Sequence, residues 1–153
     1  MKIGIVSDAK YSGPGTKNII YKNSEVDGYK YVSELNVMIY DSEKDELENI
    51  KPKYNRNDYY MLGDIVWYDE TSGFIKKMGY YIRDEELQLL DIILIKIKDK
   101  LSYLKNKKNF DIREFGEQIN LEIVVDSINK AKGLSKLLGE QNNNISEIIN
   151  RKR

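Results

Sequence analysis

The sequence predicts an α+β protein, with a small antiparallel β-sheet in the N-terminal half followed by a long helix and a helical C-terminal half. Two observations support this prediction. Short runs of alternating apolar and polar residues, separated by turn residues, continue to about residue 83. From Asp84 onward, apolar residues recur at steps of three and four, which is the period of a helix. We therefore expect a β-rich subdomain, 1–83, and a helical subdomain, 84–153, within one folding unit.

Alternating runs in the first half predict the individual strands. Lys2 to Val6 reads as the first strand, and Asn18 to Lys22 and Leu35 to Tyr40 read as further strands. The acidic stretch from Asp41 to Glu48 is predicted to be a connection, because charged residues cluster there. Tyr59 to Tyr68 and Phe74 to Ile82 are predicted to form a hairpin, since the loop between them has a suitable length and a glycine near its end.

The first helix is predicted from Asp84, where three acidic residues complement the positive end of a helix dipole. Its apolar residues have heptad-like spacing: Leu87, Leu90, Leu94, Ile97, Leu101 and Leu104. Two such faces can pair about a two-fold axis, so we expect self-association through helix 84–107. Burial of the same face inside one chain explains the spacing equally well.

A second helix is predicted to begin at Asp111, which heads an acidic capping sequence, and to run toward Ile128. Gly139 suggests a helix end, and Asn142 to Asn144 suggest a polar turn. A short terminal helix, 145–149, is then expected before the basic end of the chain.

Composition excludes several classes of enzyme. The chain of 153 residues contains no His and no Cys. Serine and cysteine hydrolases with a histidine base, zinc metallopeptidases and zinc fingers each require one of these residue types. We therefore expect a non-enzymatic protein without a cofactor or metal site. No apolar run is long enough for a signal peptide or a membrane span, so we expect a cytoplasmic protein that does not engage a membrane.

The last 26 residues, 128–153, resemble the helix-turn-helix of the Cro and lambda-repressor type. The spacing of Leu134, Leu138, Ile145 and Ile148 suits two short helices packed across a tight turn. The resemblance implies that amides at the start of a recognition helix read base edges and that basic side chains meet phosphates. The implied DNA-binding residues are Lys132, Lys136, Asn142, Asn143, Asn144, Arg151, Lys152 and Arg153. The alternative interpretation is a helix end followed by an amphipathic cap that packs on the body.

Aromatic residues in the β-rich half are interleaved with cations, a combination that can stack nucleobases and hold phosphates. The candidate ligand-binding residues are Tyr59, Trp67, Tyr81, Arg56 and Arg83. The alternative is that these aromatic residues form the core and the cross-strand pairs of a small sheet.

These observations predict a non-enzymatic, dimeric regulatory protein that binds double-stranded DNA. A composition rich in Lys, Asn and Ile is common on AT-rich mobile elements such as phages, which suggests such an origin by analogy. The alternative function is that of a phage-type inhibitor in counter-defence, which sequesters a nucleotide-like signal or docks on a host protein through its β-rich half.

Overall fold

The computed structural model describes residues 1–12, 31–79, 82–107, 109 and 111–151, with backbone alone for 140–151. Five strands form one antiparallel sheet in the order β3-β2-β1-β4-β5, and two helices follow, which confirms the predicted α+β class. The elements are β1 (Lys2–Ser12), β2 (Tyr31–Asp41), β3 (Glu46–Ile50), β4 (Ile65–Tyr68), β5 (Ile75–Lys77), α1 (Asp84–Lys105) and α2 (Ile112–Arg151). The predicted strand 18–22 lies outside the described residues.

The acidic stretch 41–48 was predicted wrongly as a connection throughout. The turn covers only residues 42–45, where Asp45 adopts a positive φ of 53°, and β3 begins at Glu46. Tyr40 stabilises this turn by donating its hydroxyl to Asp45 Oδ1 at 2.5 Å. Because β3 is an edge strand, its charged side chains reach solvent while Leu47 packs against the core. Charge alone therefore did not distinguish a loop from an exposed edge strand.

The predicted hairpin is confirmed as the pairing of β4 with β5, although both strands are shorter than predicted. Asp69 organises the loop, since its Oδ1 accepts a hydrogen bond from the Thr71 N–H at 2.9 Å and its carbonyl accepts one from the Gly73 N–H at 2.7 Å. Gly73 has a φ of 80°, a conformation that residues with a side chain rarely adopt.

The sheet is buried on both faces. Ile3, Ile5 and Met38 point toward the helices and join one core cluster with residues of α1 and α2. The opposite face carries a second cluster, which the segment 51–64 covers with the fully buried Tyr60. Gly4 lies on this second face, where an added Cβ would come within 2.7 Å of Val37 Cγ1. Close packing at the centre of the sheet therefore requires a glycine.

Tyrosine hydroxyls attach the covering segment to the sheet. Tyr11 donates to the carbonyl of Tyr60 at 2.6 Å, and Tyr54 donates to the carbonyl of Val32 at 3.0 Å. The ring of Tyr11 also stacks on Tyr59, with centroids 5.1 Å apart. These contacts satisfy buried polar groups and contribute packing, so this part of the tyrosine-rich sequence serves structure.

Helix α1 buries its apolar face within the chain. Leu90, Ile97 and the other core-facing residues of its heptad-like pattern contact the sheet and α2, and Leu87 packs against the same cluster. The apolar face that suggested self-association through helix 84–107 is therefore already covered in the single chain, and self-association stays a prediction. Leu89, Ile95 and Tyr103 are the large apolar residues that α1 exposes.

Helix α2 differs most from the prediction, because it continues without a turn from Ile112 to Arg151. Gly139 and the three asparagines at 142–144 lie inside the helix. An internal glycine costs about 1 kcal/mol of helix stability, which is less than the loss of several consecutive backbone hydrogen bonds in a turn. Ser135 also anchors the helix by donating to the Ile82 carbonyl at 2.9 Å.

The two helices run antiparallel, with ion pairs along their contact. Lys107 near the end of α1 meets Glu114 near the start of α2 at 2.5 Å, whereas Asp91 near the start of α1 meets Lys132. Neither helix has, in its described residues, an apolar stretch of the length and hydrophobicity that a membrane crossing requires.

We expect Gly63→Ala to destabilise the fold by about 2 kcal/mol or more. Gly63 has a φ of 92°, and an added Cβ would lie 2.8 Å from Ser127 Cβ in α2, so both the backbone and the space oppose a side chain. Urea unfolding measures the loss. Gly133→Ala is the control, because nothing lies within 4 Å of its added Cβ, and alanine raises helix stability by about 1 kcal/mol. Equal stability of the two variants would contradict this account.

We expect Tyr11→Phe to lower the free energy of unfolding by about 1 kcal/mol at neutral pH, because one hydrogen bond is lost. Burial raises the pKa of Tyr11 from 10.0 to about 12, with Tyr59 adding to the shift. The neutral phenol therefore stabilises the folded state fully below pH 10, and this contribution disappears as the pH rises through 12.

Urea unfolding from pH 8 to pH 12 checks this second expectation. The stability difference between the natural protein and Tyr11→Phe should narrow above pH 10, since only the natural protein loses the Tyr11 contribution. Tyr103→Phe, which changes a tyrosine that is 66% exposed on α1, provides the control. A difference that stays constant over this range would show that the Tyr11 phenol does not couple folding to pH.

Candidate functional site

A groove of about 470 Å³ separates the sheet from the first turns of α2. Its volume falls within the range of about 300–1,000 Å³ that is usual for small-molecule sites. Met38 and Leu121 are its buried apolar residues. The polar residues that line it come from four elements: Ser7 and Asp8 from β1, Asn36 from β2, Asn49 from β3, and Arg113, Glu117 and Asn120 from α2.

A β-bulge in β1 shapes the sheet side of the groove. The register with β2 shifts between Val6 and Asp8, so that Ser7 is the additional residue. Ser7 donates its hydroxyl to Asn49 Oδ1 at 3.2 Å, and Asp8 accepts a hydrogen bond from the Ala9 N–H at 3.0 Å. Bulges redirect side chains and occur frequently beside functional sites. Here the bulge brings a hydroxyl and a carboxylate to the edge of the groove.

The loop before β4 supports the bulge from the other side. Val6 donates its N–H to the Asp64 carbonyl at 2.9 Å, and its carbonyl accepts the Gly63 N–H at 2.8 Å. Gly63 therefore helps to hold the strand from which Ser7 and Asp8 project.

The helix side of the groove presents charged and amide groups. Lys100 of α1 holds the Glu117 carboxylate at 2.5 Å, whereas Arg113 has no ion pair within the described part of the chain. Gly116 lies between them in sequence, and an added Cβ there would have nothing within 4 Å. The absence of a side chain at Gly116 leaves room for a ligand to approach the helix.

Carboxamides give this groove its chemical character. An asparagine side chain offers two donors and one acceptor group in one plane, which suits the edge of a nucleobase. Asn36, Asn49 and Asn120 supply three such groups, of which Asn49 already accepts the Ser7 hydroxyl at its Oδ1. The Arg113 guanidinium can bind an anion in a bidentate manner. The arrangement can bind a planar polar group and a neighbouring negative charge.

The structure does not bring the predicted ligand-binding residues into one site. Tyr59 stacks on Tyr11 and belongs to the outer cluster, whereas Trp67 packs on the helix side of the sheet. Arg56 lies over the ring of Tyr31, 5.3 Å from its centroid. Arg83 pairs with Glu86 at 2.6 Å, which holds the pKa of that carboxyl below its usual value, and Tyr81 lies outside the described residues.

The predicted DNA-binding residues are spread along α2 and beyond it. Lys132 forms an ion pair with Asp91 of α1, and Lys136 is exposed. Positions 142, 143 and 144 lie within one continuous helix, so they do not begin the separate recognition helix that the resemblance implies. Arg151 ends the helix, and Lys152 and Arg153 lie outside the described residues.

Sequence reasoning missed every residue of the groove. Asn36, Asn49 and Asn120 are distant in the chain, and only the register of β1, β2 and β3 and the packing of α2 bring them together. One sequence signal for the bulge was available, because the first apolar run is interrupted at Ser7 and Asp8. The same interruption is equally typical of the end of a strand. Within the described residues, no three acidic side chains approach closely enough to hold a metal ion.

No family model matches this chain, and no curated protein or solved structure compared with it matches either. The function is therefore inferred from the geometry of the groove and of the helices. The helix-turn-helix resemblance stays a prediction, although the turn that it implied is replaced by a continuous helix.

Proposed function

We propose that the protein is a non-enzymatic binding protein whose groove between β1 and α2 takes a nucleotide-like ligand. One observation supports this proposal above the others: three asparagines from three different elements line the same groove as Arg113, whose guanidinium forms no ion pair with the residues that the structure describes. Structural asparagines usually serve a local turn or cap, whereas these three line one open groove.

Nucleobase and phosphate would occupy different parts of the groove on this proposal. The carboxamides pair with donors and acceptors on the base edge, and Gly116 lets the planar ring approach the helix backbone. Arg113 near the start of α2 holds the phosphate, where the positive end of the helix dipole adds to its charge. Because the groove is open rather than enclosed, we expect a micromolar affinity.

Thermal unfolding of the full chain with a panel of mononucleotides, cyclic nucleotides and inorganic phosphate tests the proposal. A ligand at 100 times its Kd stabilises the folded state by about 2.7 kcal/mol, which shifts the melting temperature by several degrees. We expect Asn120→Ala to weaken binding about tenfold and Arg113→Ala to weaken only the ligands that carry phosphate.

Gly116→Leu tests the groove most directly. Its side chain would occupy the open space of the groove, because nothing lies within 4 Å of a Cβ added at this position. Binding should be lost although the unliganded protein is at least as stable as before, because leucine favours a helix more than glycine does. Gly133→Leu serves as its matched control, since this glycine also lies in α2 with open space around it and outside the groove. A panel without any thermal shift, or a shift that survives Gly116→Leu, would exclude the groove as the ligand site.

A second candidate function is binding of double-stranded DNA by the end of α2. The observation that favours it is the length of the helix after its anchor at Ser135, because 16 further residues extend about 24 Å to Arg151. A helix of this length fits the major groove, and the basic residues 151–153 would meet phosphates. This candidate retains the predicted dimeric regulator but replaces the helix-turn-helix with one continuous helix.

Fluorescence anisotropy with mixed-sequence duplex DNA at several salt concentrations tests this candidate. Replacing Arg151, Lys152 and Arg153 by Gln should reduce the magnitude of the logarithmic salt slope by about three, because each cation releases about one counterion. Replacing the exposed lysines 44, 76 and 98 by Gln is the matched control. No binding by the natural protein at low salt, or equal slopes for both variants, would reject the DNA interface.

A further inference from the structure

The bulge in β1 places a carboxylate on the groove side of the sheet. Val6 and Ala9 pack in the cluster on the opposite face, whereas the two residues between them, Ser7 and Asp8, both line the groove. In a regular strand the side chains alternate between the two faces, so Asp8 would lie on the same face as Val6. The additional residue of the bulge therefore brings the Asp8 carboxylate into the groove.

An amide stands directly opposite this carboxylate on the neighbouring strand. Asp8 is in register with Asn36 of β2, and both residues line the groove. Residues that are directly opposite in an antiparallel pair project from the same face, with Cβ atoms about 4.5–5.5 Å apart. The sheet wall of the groove thus presents a group that only accepts hydrogen bonds beside a group that can donate two.

Both side chains have hydrogen-bonding capacity left for a ligand. Asp8 accepts the Ala9 N–H at 3.0 Å, but a carboxylate has about four acceptor positions, and Asp8 has no ion pair in the part of the chain that the structure describes. The Asn36 side chain has no hydrogen bond there either. Glu117, the other carboxylate of the groove, is held by Lys100 at 2.5 Å. Asp8 is therefore the carboxylate that a ligand can use.

The next pair along the sheet adds an apolar floor. Met38 lies two residues after Asn36 on β2, is buried, and is in register with Asn49 of β3. Asn49 accepts the Ser7 hydroxyl at its Oδ1, so its amide nitrogen remains available to donate. A thioether makes favourable contacts with flat rings. A planar base can therefore lie over Met38 while its edge meets Asp8 and Asn36.

We infer that the groove selects guanine, with the Asp8 carboxylate accepting the N1–H and the N2 amino group of the base while the Asn36 amide donates to O6. Guanine is the common base that presents two adjacent donors on one edge. Adenine and cytosine present an amino group beside an unprotonated ring nitrogen, and uracil presents an N–H between two carbonyl oxygens, so each would set an acceptor against the carboxylate. The inference rests on the proposed function, because it assigns the base of a nucleotide bound in this groove.

Calorimetric titration of the full chain with GMP, IMP and AMP tests the selection. These ligands share ribose and phosphate, so their contacts with Arg113 are the same and only the base differs. IMP lacks the N2 amino group alone, and we expect it to bind about tenfold more weakly than GMP, because the bidentate contact with the base is lost. AMP should bind at least about tenfold more weakly than GMP for the same reason.

Asp8→Asn should convert the preference rather than only remove it. An amide in place of the carboxylate offers one acceptor and one donor, which match the N1–H and the O2 of xanthine. We expect GMP to bind about tenfold more weakly to this variant and XMP to bind more tightly than GMP. A misfolded protein cannot produce this gain. Asp99→Asn, which changes an exposed carboxylate on α1 outside the groove, is the matched control and should leave the preference for GMP unchanged.

Asn36→Ala tests the contact with O6. GMP and IMP both carry O6, so the variant should weaken both by the same factor, about fivefold for one lost hydrogen bond. AMP has no O6 and should keep its affinity. Thermal unfolding without ligand establishes that the variant is folded. An equal loss for all three nucleotides would show that Asn36 only supports the groove and would overturn its role in selecting the base.

The outcomes separate a failure of this inference from a failure of the proposed function. Nucleotides that bind with equal affinity, and whose binding Gly116→Leu abolishes, would show a nucleotide groove without base selection and would overturn the inference alone. A preference for GMP that survives Asp8→Asn would overturn it in the same way. No binding of any mononucleotide, or binding that survives Gly116→Leu, would overturn the proposed function and the inference together.

Discussion

Burial of β1 on both faces is the constraint on which the rest of this structure depends. β1 is the central strand, so Ile3 and Ile5 must be covered by helices while Val6 must be covered from the opposite side. The described residues form two helices, and both cover the first face. The second face is therefore closed by an irregular segment, 51–64, whose backbone polar groups need partners that a sheet edge does not supply. Tyrosine hydroxyls and the backbone bonds at Gly63 and Val6 provide them.

The same constraint explains why the groove occurs where it does. β1 is paired with β4 only through Ile5, and beyond Val6 the strand bulges and continues with β2 alone. The sheet side of the groove begins at this change of partner, and α2 passes opposite it because Leu121 and Val124 are held in the core. Ser7 and Asp8 are thus positioned by the packing on either side of them rather than by contacts within the groove. The position of these polar groups therefore follows from the end of the β1–β4 pairing.

Sequence patterns predicted the elements better than their partners. The spacing of Leu90 and Ile97 identified α1, but one apolar face has the same spacing whether it packs inside a chain or against a second chain. The fold class and the β4–β5 hairpin followed from local signals such as Gly73, because turn geometry depends on nearby residues. The end of the second helix did not, since Gly139 weakens a helix without ending it when the backbone ladder continues. The groove could not be predicted at all, because its asparagines meet only through tertiary packing.

α2 is the element that joins the core to the groove. Leu121 and Val124 fix it to the core, Arg113 and Asn120 line the groove, and Ile119 and Ile123 are exposed. A helix of ordinary length that satisfied only the core would need neither these exposed apolar residues nor the extension past Ser135. An effect of a ligand beyond the groove would have to pass through the position of α2 itself, whose first turn is held to the end of the preceding connection by the ion pair of Glu114 with Lys107.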